Sequence, residues 1–194
     1  MKSIPRTIFI ISGSNGVGKT TLAKELLEEF NLYFLNADEI AASLNPRNVS
    51  LVRLKAGRIY NKKMRELLEK GTSFALETTL SGKSLFDFLI EAKIRKYSLR
   101  FIYFFVDTPE VALDRIQLRI KKGGHDVPKD DVVRRFYRSR TNFWHTYKEI
   151  ADDWTIFYNG QEKLVIVADG NRNDYSTRDQ KLFNLFKKDV KIEK

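Results

Sequence analysis

Eight residues near the start of the chain leave it few ways to fold. Gly13-Ser14-Asn15-Gly16-Val17-Gly18-Lys19-Thr20 satisfies the pattern G-x-x-x-x-G-K-[ST] at every fixed position. An apolar run, Thr7–Ser12, precedes it, and an amphipathic stretch carrying Leu22, Ala23, Leu26, Leu27 and Phe30 follows. Strand, glycine turn and helix in that order form a phosphate cradle. The glycines let the backbone bend so that Gly13, Ser14, Asn15, Gly16, Val17 and Gly18 aim N–H groups inward. The helix start, through Thr20 and Thr21, adds unpaired N–H groups and partial positive charge. Lys19 is placed to bridge β- and γ-oxygens of a nucleoside triphosphate, and the Thr20 hydroxyl to ligate its Mg²⁺. A turn that served packing alone would not require Lys-Thr after the last glycine.

The rest of the chain alternates in the same way. Strands are expected at Thr7–Ser12, Leu32–Leu35, Phe74–Leu76, Leu99–Val106, Trp154–Tyr158 and Leu164–Val167. Helices are expected at Thr20–Phe30, Arg53–Lys70, Ser84–Lys96, Pro109–Lys121, Asp130–Ile150 and Thr177–Val190. Runs such as Phe101-Ile102-Tyr103-Phe104-Phe105-Val106 lack polar alternation, which marks strands covered on both faces. Strands alternating with helices imply βαβ crossovers and a three-layer α/β fold with a mostly parallel sheet. Ligands of such sheets collect beyond the carboxyl ends of the strands. With 194 residues and no linker-like segment, the chain reads as a single domain over 1–194.

Composition narrows the chemistry. There is no cysteine, which excludes disulfides, thiolate zinc sites and a cysteine nucleophile. No apolar run approaches the roughly 18 residues needed to cross a bilayer, and no signal-peptide core follows Met1, so a cytoplasmic protein without membrane contact is expected. The net charge of +10 is concentrated between Arg115 and Arg140, where nine basic residues face three acidic ones. Such a concentration suggests phosphates as partners, on small molecules or on a nucleic acid backbone, unless it is a solvated surface.

Carboxylates at strand exits are the candidates for chemistry. Asp38 follows the strand Leu32–Leu35 and is positioned to take the proton of an acceptor hydroxyl, or to cap a helix Glu39–Leu44. Glu77 ends Phe74-Ala75-Leu76 and precedes Thr78-Thr79, where a carboxylate holds a Mg²⁺-bound water or a substrate hydroxyl. Asp107 precedes Thr108-Pro109-Glu110, a helix start, and reads as structural.

A basic helical hairpin completes the inventory. Arg115 and Arg119 share one helix face, as do Arg134 and Arg138 on the next. Between them lies the helix-breaking run Lys121–Pro128, so that residues 115–140 read as a lid over the triphosphate. His125 sits in that loop, where a lone histidine is more often incidental. Phe136, Tyr137, Phe143, Trp144 and Tyr147 have helical spacing and read mainly as packing.

The phosphate loop, Asn36-Ala37-Asp38, Glu77-Thr78-Thr79, Gly123–Pro128 and Arg134-Arg135-Phe136-Tyr137-Arg138-Ser139 together resemble the zeta-toxin-like branch of P-loop kinases. The resemblance covers most of residues 6–170 and implies a P-loop NTPase fold, with a sheet of about five parallel strands and an arginine-rich helical lid. It implies transfer of the γ-phosphoryl group of ATP or GTP to the 3′-hydroxyl of a UDP-amino sugar such as UDP-N-acetylglucosamine. Carried onto this chain, Lys19 would bind phosphates, Asp38 would be the base, and Glu77 and Thr79 would contact the sugar nucleotide. Arg119 and one of Arg134, Arg135 or Arg138 would clamp the γ-phosphate, with Arg135 the choice for catalysis and Arg138 for substrate. An antitoxin protein is a possible partner by the same resemblance. The helix before Glu77 departs from the family: characterised members carry an acidic substrate-holding residue there, and this chain reads Arg58-Ile59-Tyr60-Asn61-Lys62-Lys63-Met64-Arg65. Two readings stay open beside the sugar kinase: a nucleic acid or nucleoside kinase, and a nucleotide-dependent binding protein without phosphotransfer.

Overall fold

Seven strands form one sheet in the order β2-β3-β1-β4-β5-β6-β7 in the computed structural model, which describes residues 6–28, 32–82, 84–124, 126–160 and 163–190. The strands are β1 (Thr7–Ser12), β2 (Tyr33–Leu35), β3 (Phe74–Thr78), β4 (Ser98–Phe105), β5 (Asp153–Asn159), β6 (Leu164–Gly170) and β7 (Tyr175–Thr177). From β2 to β5 every neighbour is parallel; β5–β6 and β6–β7 are antiparallel. The expectation of about five strands therefore needs correction to seven. The parallel part has the expected five, and an antiparallel extension is added at one edge. The short β7, Tyr-Ser-Thr, has no apolar run to announce it; it pairs with the end of β6, and Tyr175 packs edge-on to Trp144 at 5.8 Å.

The helices are α1 (Lys19–Glu28), α2 (Ala37–Leu44), α3 (Arg53–Glu69), α4 (Ser84–Ile94), α5 (Pro109–Lys121), α6 (Lys129–Asn142) and α7 (Gln180–Lys188). Both faces of the sheet are covered. On one, Ile8, Ile10, Leu76, Phe101, Tyr103 and Trp154 pack with Met64 and Leu68 of α3 and Phe183 and Phe186 of α7. On the other, Ile11, Ala75 and Phe104 pack with Ala23 of α1, Ala112 and Ile116 of α5 and Phe136 of α6. Unbroken apolar strands are the consequence of this double cover. No helix among the described residues is long and apolar enough to cross a membrane.

The helix expected over Asp130–Ile150 is not continuous. It ends at Asn142, a π-helical turn spans Phe143–Tyr147, and a 3₁₀ turn completes Lys148–Ile150. The wider turn re-phases the chain. Phe143 and Tyr147 stay against Phe101, while Trp144 turns to Trp154 and Phe183. His125, the Glu29–Phe30 end expected for the first helix, and Lys191–Lys194 lie outside the described residues.

Arg140 ties the hairpin α5–α6 to the sheet. It is 1% exposed and donates to the Val106 carbonyl, just past β4, and to Asp189 at 2.6 Å, just past α7. Its guanidinium lies 4.3 Å from the Phe136 ring centroid. Removal of the side chain leaves a buried carbonyl and a mostly buried carboxylate unpaired and opens a gap over Phe136. Arg140→Ala is expected to lower stability by about 3 kcal/mol, read from urea unfolding.

Candidate active site

The site is built where the parallel strands stop. In register, Ile11 of β1 pairs with Glu77 of β3, and Leu35 of β2 pairs with Leu76. One residue further, Asn36 comes level with Glu77, and the chain after Ser12 turns into the glycine loop. Glu77 is the meeting point. Its carboxylate accepts from the Thr20 hydroxyl at 2.8 Å and from the Asn36 amide at 2.9 Å, and lies 3.7 Å from the Lys19 ammonium. The Tyr60 hydroxyl of α3 donates to the Glu77 backbone carbonyl at 3.1 Å.

Burial sets the electrostatics of this pair. Desolvation pushes the Glu77 carboxyl up, against the pull of Lys19 and the Thr20 hydrogen bond. Desolvation likewise lowers the Lys19 ammonium, opposed by Glu77 and Asp38. Each group thus offsets part of the other's burial cost. Lys19 also folds back onto the Ser14 carbonyl of its own loop, donating to it at 2.8 Å.

The loop conformation requires its glycines. Gly13, Gly16 and Gly18 have φ of 136°, 81° and 87°. A Cβ on Gly16 would lie 2.3 Å from the Ala112 carbonyl of α5, so that helix packs directly on the loop backbone. On the other flank Asn159, at the end of β5, donates to the Val17 carbonyl at 2.8 Å.

An open cleft of 570 Å³ lies over the loop. Its lining brings together Asn15, Gly16, Gly18, Lys19, Thr20 and Thr21 with Asp38 and Glu77, and with Arg115, Arg119 and Lys122 from the hairpin. Asp38 stands in the first turn of α2, whose N-cap is Asn36: the Asn36 side chain accepts from the Asp38 and Glu39 N–H groups. The helix expected over Glu39–Leu44 thus begins two residues early, and capping is not the task of Asp38. Gly13, Ser14 and Val17 complete the loop without lining the cleft.

Arg135 donates to the Asn15 side-chain oxygen at 3.2 Å and to Asp131 at 3.1 Å, which holds it beside the loop. Arg138 is exposed on α6, and Thr79 pairs with the Ser81 hydroxyl at 2.8 Å; neither lines the cleft. Asp107 accepts from the Tyr158 hydroxyl at 2.7 Å, in keeping with its structural reading. The hairpin itself is rooted in the core through Val127, Val132 and Phe136, so its arginines stand on packed helices. Sequence reasoning gave no separate role to Asn36; an asparagine before a helix start was the available signal for it.

The donors suit a hard cation carried by nucleotide phosphates. A hydroxyl and a carboxylate oxygen 2.8 Å apart beside the loop offer the oxygen ligands that Mg²⁺ prefers. No group of three or more His, Cys, Asp and Glu side chains among the described residues forms a separate metal cage.

Three comparisons bear on this arrangement. Residues 2–172 match the family model described as zeta toxin. A Haemophilus influenzae protein, described as uncharacterised, is 32% identical over 124 residues, or 64% of this chain and 88% of its own. Among solved structures, the AvrRxo1-ORF1:AvrRxo1-ORF2 complex with sulphate ions superposes with a TM-score of 0.72 at 16% identity. That match covers 94% of this chain but 63% of the other, and the same pair has been solved with ATP. The PezAT chromosomal toxin–antitoxin system of Streptococcus pneumoniae gives a TM-score of 0.63 at 15% identity, covering 97% of this chain and 86% of that one. At such identities the structures establish a shared fold.

Gly16→Ala is the sharpest test of the cradle. A Cβ there meets backbone on a packed helix and forces a left-handed φ on alanine. It is expected to cost about 2–4 kcal/mol in nucleotide affinity, roughly 30-fold or more in the Kd for ATP by calorimetry.

Proposed function

Because the chain belongs to the zeta toxin family of P-loop kinases, we propose that it transfers the γ-phosphoryl group of ATP or GTP to a hydroxyl of a small nucleotide-linked sugar, such as UDP-N-acetylglucosamine. One observation carries this reading: Lys19, Thr20 and Asn36 converge on Glu77 at the floor of a cleft that Asp38 also lines. A switch protein needs the loop but has no use for a second carboxylate at the mouth of the β2 strand.

In this reading the backbone of Gly13–Gly18 and Lys19 hold the β- and γ-phosphates, and Thr20 would hold a nucleotide-borne Mg²⁺, which would neutralise charge on the phosphate oxygens. The acceptor oxygen forms its bond to the γ-phosphorus as its proton passes to the Asp38 carboxylate. The bond from γ-phosphorus to the β,γ-bridging oxygen breaks, and the nucleoside diphosphate leaves with that electron pair. Arg119, over the cleft, and Arg135, beside Asn15, stabilise the charge spread over the transferred group. Glu77 faces the acceptor from the cleft, whereas Thr79 and Arg138, which do not line it, are left without a part in this reading. A silencing protein partner belongs to the same proposal, since a solved relative comes from a toxin–antitoxin system.

Labelled γ-phosphate from ATP, offered to UDP-sugars, nucleosides and oligonucleotides, tests the reading. Label is expected on a UDP-amino sugar, absent in Lys19→Ala, and reduced roughly 10²–10⁴-fold in Asp38→Asn. Undiminished transfer by Asp38→Asn would remove Asp38 as the base. Label confined to oligonucleotide ends would instead make the +10 charge a nucleic acid surface.

A further inference from the structure

One side chain behind the cleft works at both of its ends. Asn36 is 5% exposed and does not line the cleft itself. Its amide nitrogen donates to Glu77 Oε2 at 2.9 Å, the same oxygen that accepts from the Thr20 hydroxyl at 2.8 Å. Its amide oxygen accepts from the N–H groups of Asp38 and Glu39 at 2.8 and 3.3 Å. These partners fix the orientation. A reversed amide would set its oxygen against the carboxylate and its NH₂ against two N–H groups. Capping alone does not call for asparagine, since serine, threonine and aspartate cap a helix as well. Aspartate has no donor for Glu77 when ionised, and a hydroxyl offers one polar atom where the amide offers two.

What hangs on the oxygen end is the helix that carries Asp38. Of the eight residues of α2 only Ala41 is fully buried, in a small cluster with Val49 and Ala56. No large side chain of α2 is locked in the core, and Ile40 is only partly buried. The strand that leads into the helix, β2, has three residues and forms one edge of the sheet. A second polar tie of the same turn, Lys24 to Glu39 at 2.8 Å, joins two exposed side chains and holds little. The amide of Asn36 is therefore the buried polar link between the first turn of α2 and the floor of the site.

We propose that Asn36 is a positioning residue: by joining Glu77 to the first turn of α2, it sets where the Asp38 carboxylate stands relative to the phosphate loop. The role rests on the phosphotransfer reading and adds to it the means by which base and phosphate site share one frame. Thr20 and Asn36 meet on one oxygen, so the loop end and the turn bearing Asp38 are joined through three hydrogen bonds. A base displaced by about 1 Å from its acceptor costs roughly 10²-fold in rate.

Asn36→Ser keeps a helix cap and breaks the link to Glu77. The assay is single-turnover γ-phosphoryl transfer to whichever UDP-sugar, nucleoside or oligonucleotide the wild type labels best. The variant is expected to lose rate roughly 10–10²-fold, while the Kd for ATP stays within about twofold and melting remains cooperative. Asn36→Asp, which keeps cap and shape but turns an acceptor toward Glu77, is expected to lose rate as well. A double-mutant cycle identifies the group through which Asn36 acts. In the Asp38→Asn background, Asn36→Ser is expected to lower the residual rate by less than about threefold. Wild-type rate in Asn36→Ser would show that a cap is all that is needed and overturn the proposal. Additive losses in the double variant, or an ATP Kd weakened as much as the rate, would overturn it too, with phosphotransfer left intact. If the wild type labels nothing, the phosphotransfer reading fails and takes this role with it.

Discussion

A carboxylate taken out of water beside an ammonium is the interaction around which this molecule is arranged. Lys19 is buried and Glu77 mostly so, and each is tolerated because the other is 3.7 Å away and hydrogen-bond donors surround the carboxylate. An arrangement of this kind seldom adds net stability relative to an apolar pair. What it does is hold two separate segments in register, the loop end through Thr20 and the β2 exit through Asn36, while Tyr60 of α3 bonds the Glu77 backbone carbonyl. The cost of that burial explains why the donors come from rigid elements.

The sheet supplies the rest. Five parallel strands run out on one side of the sheet, and the floor of the site is built at or near their carboxyl ends: the loop after β1, Asn36 after β2, Glu77 in β3 and Asn159 in β5. The hairpin α5–α6 is fastened to the same edge twice, by apolar packing of Val132 and Phe136 and by Arg140 on the Val106 carbonyl. Arg115 is held in turn by the Gly160 carbonyl at 2.8 Å. Positive charge is thus delivered over the loop by fixed helices, in keeping with a site that stabilises charge on a transferred phosphoryl group.

Much of this was legible in the residues. The strand–loop–helix unit around Gly13–Thr20 and the helix Pro109–Lys121 appear where periodicity and the start signals Thr108-Pro109 put them. So does the parallel order, which follows from buried strands alternating with helices. The misses have local causes. β7 is three residues long and is defined by its pairing with β6, with Tyr175 its one large apolar contact. The π turn at Phe143–Tyr147 has no signature, because helical spacing of aromatics fits either geometry. In the site, residue type revealed Asp38 and Glu77 as carboxylates at strand exits, but not that Asn36 takes the cap and leaves Asp38 free of it.

The role of Glu77 as the common partner of loop, strand exit and cation is tested most directly by single-turnover γ-phosphoryl transfer in Glu77→Gln. The amide keeps the size and one acceptor oxygen but removes the charge that faces Lys19 at 3.7 Å. Transfer is expected to fall by roughly 10²-fold or more, in a protein that still melts cooperatively. Transfer within twofold of the wild type would contradict that role and reduce Glu77 to a structural contact.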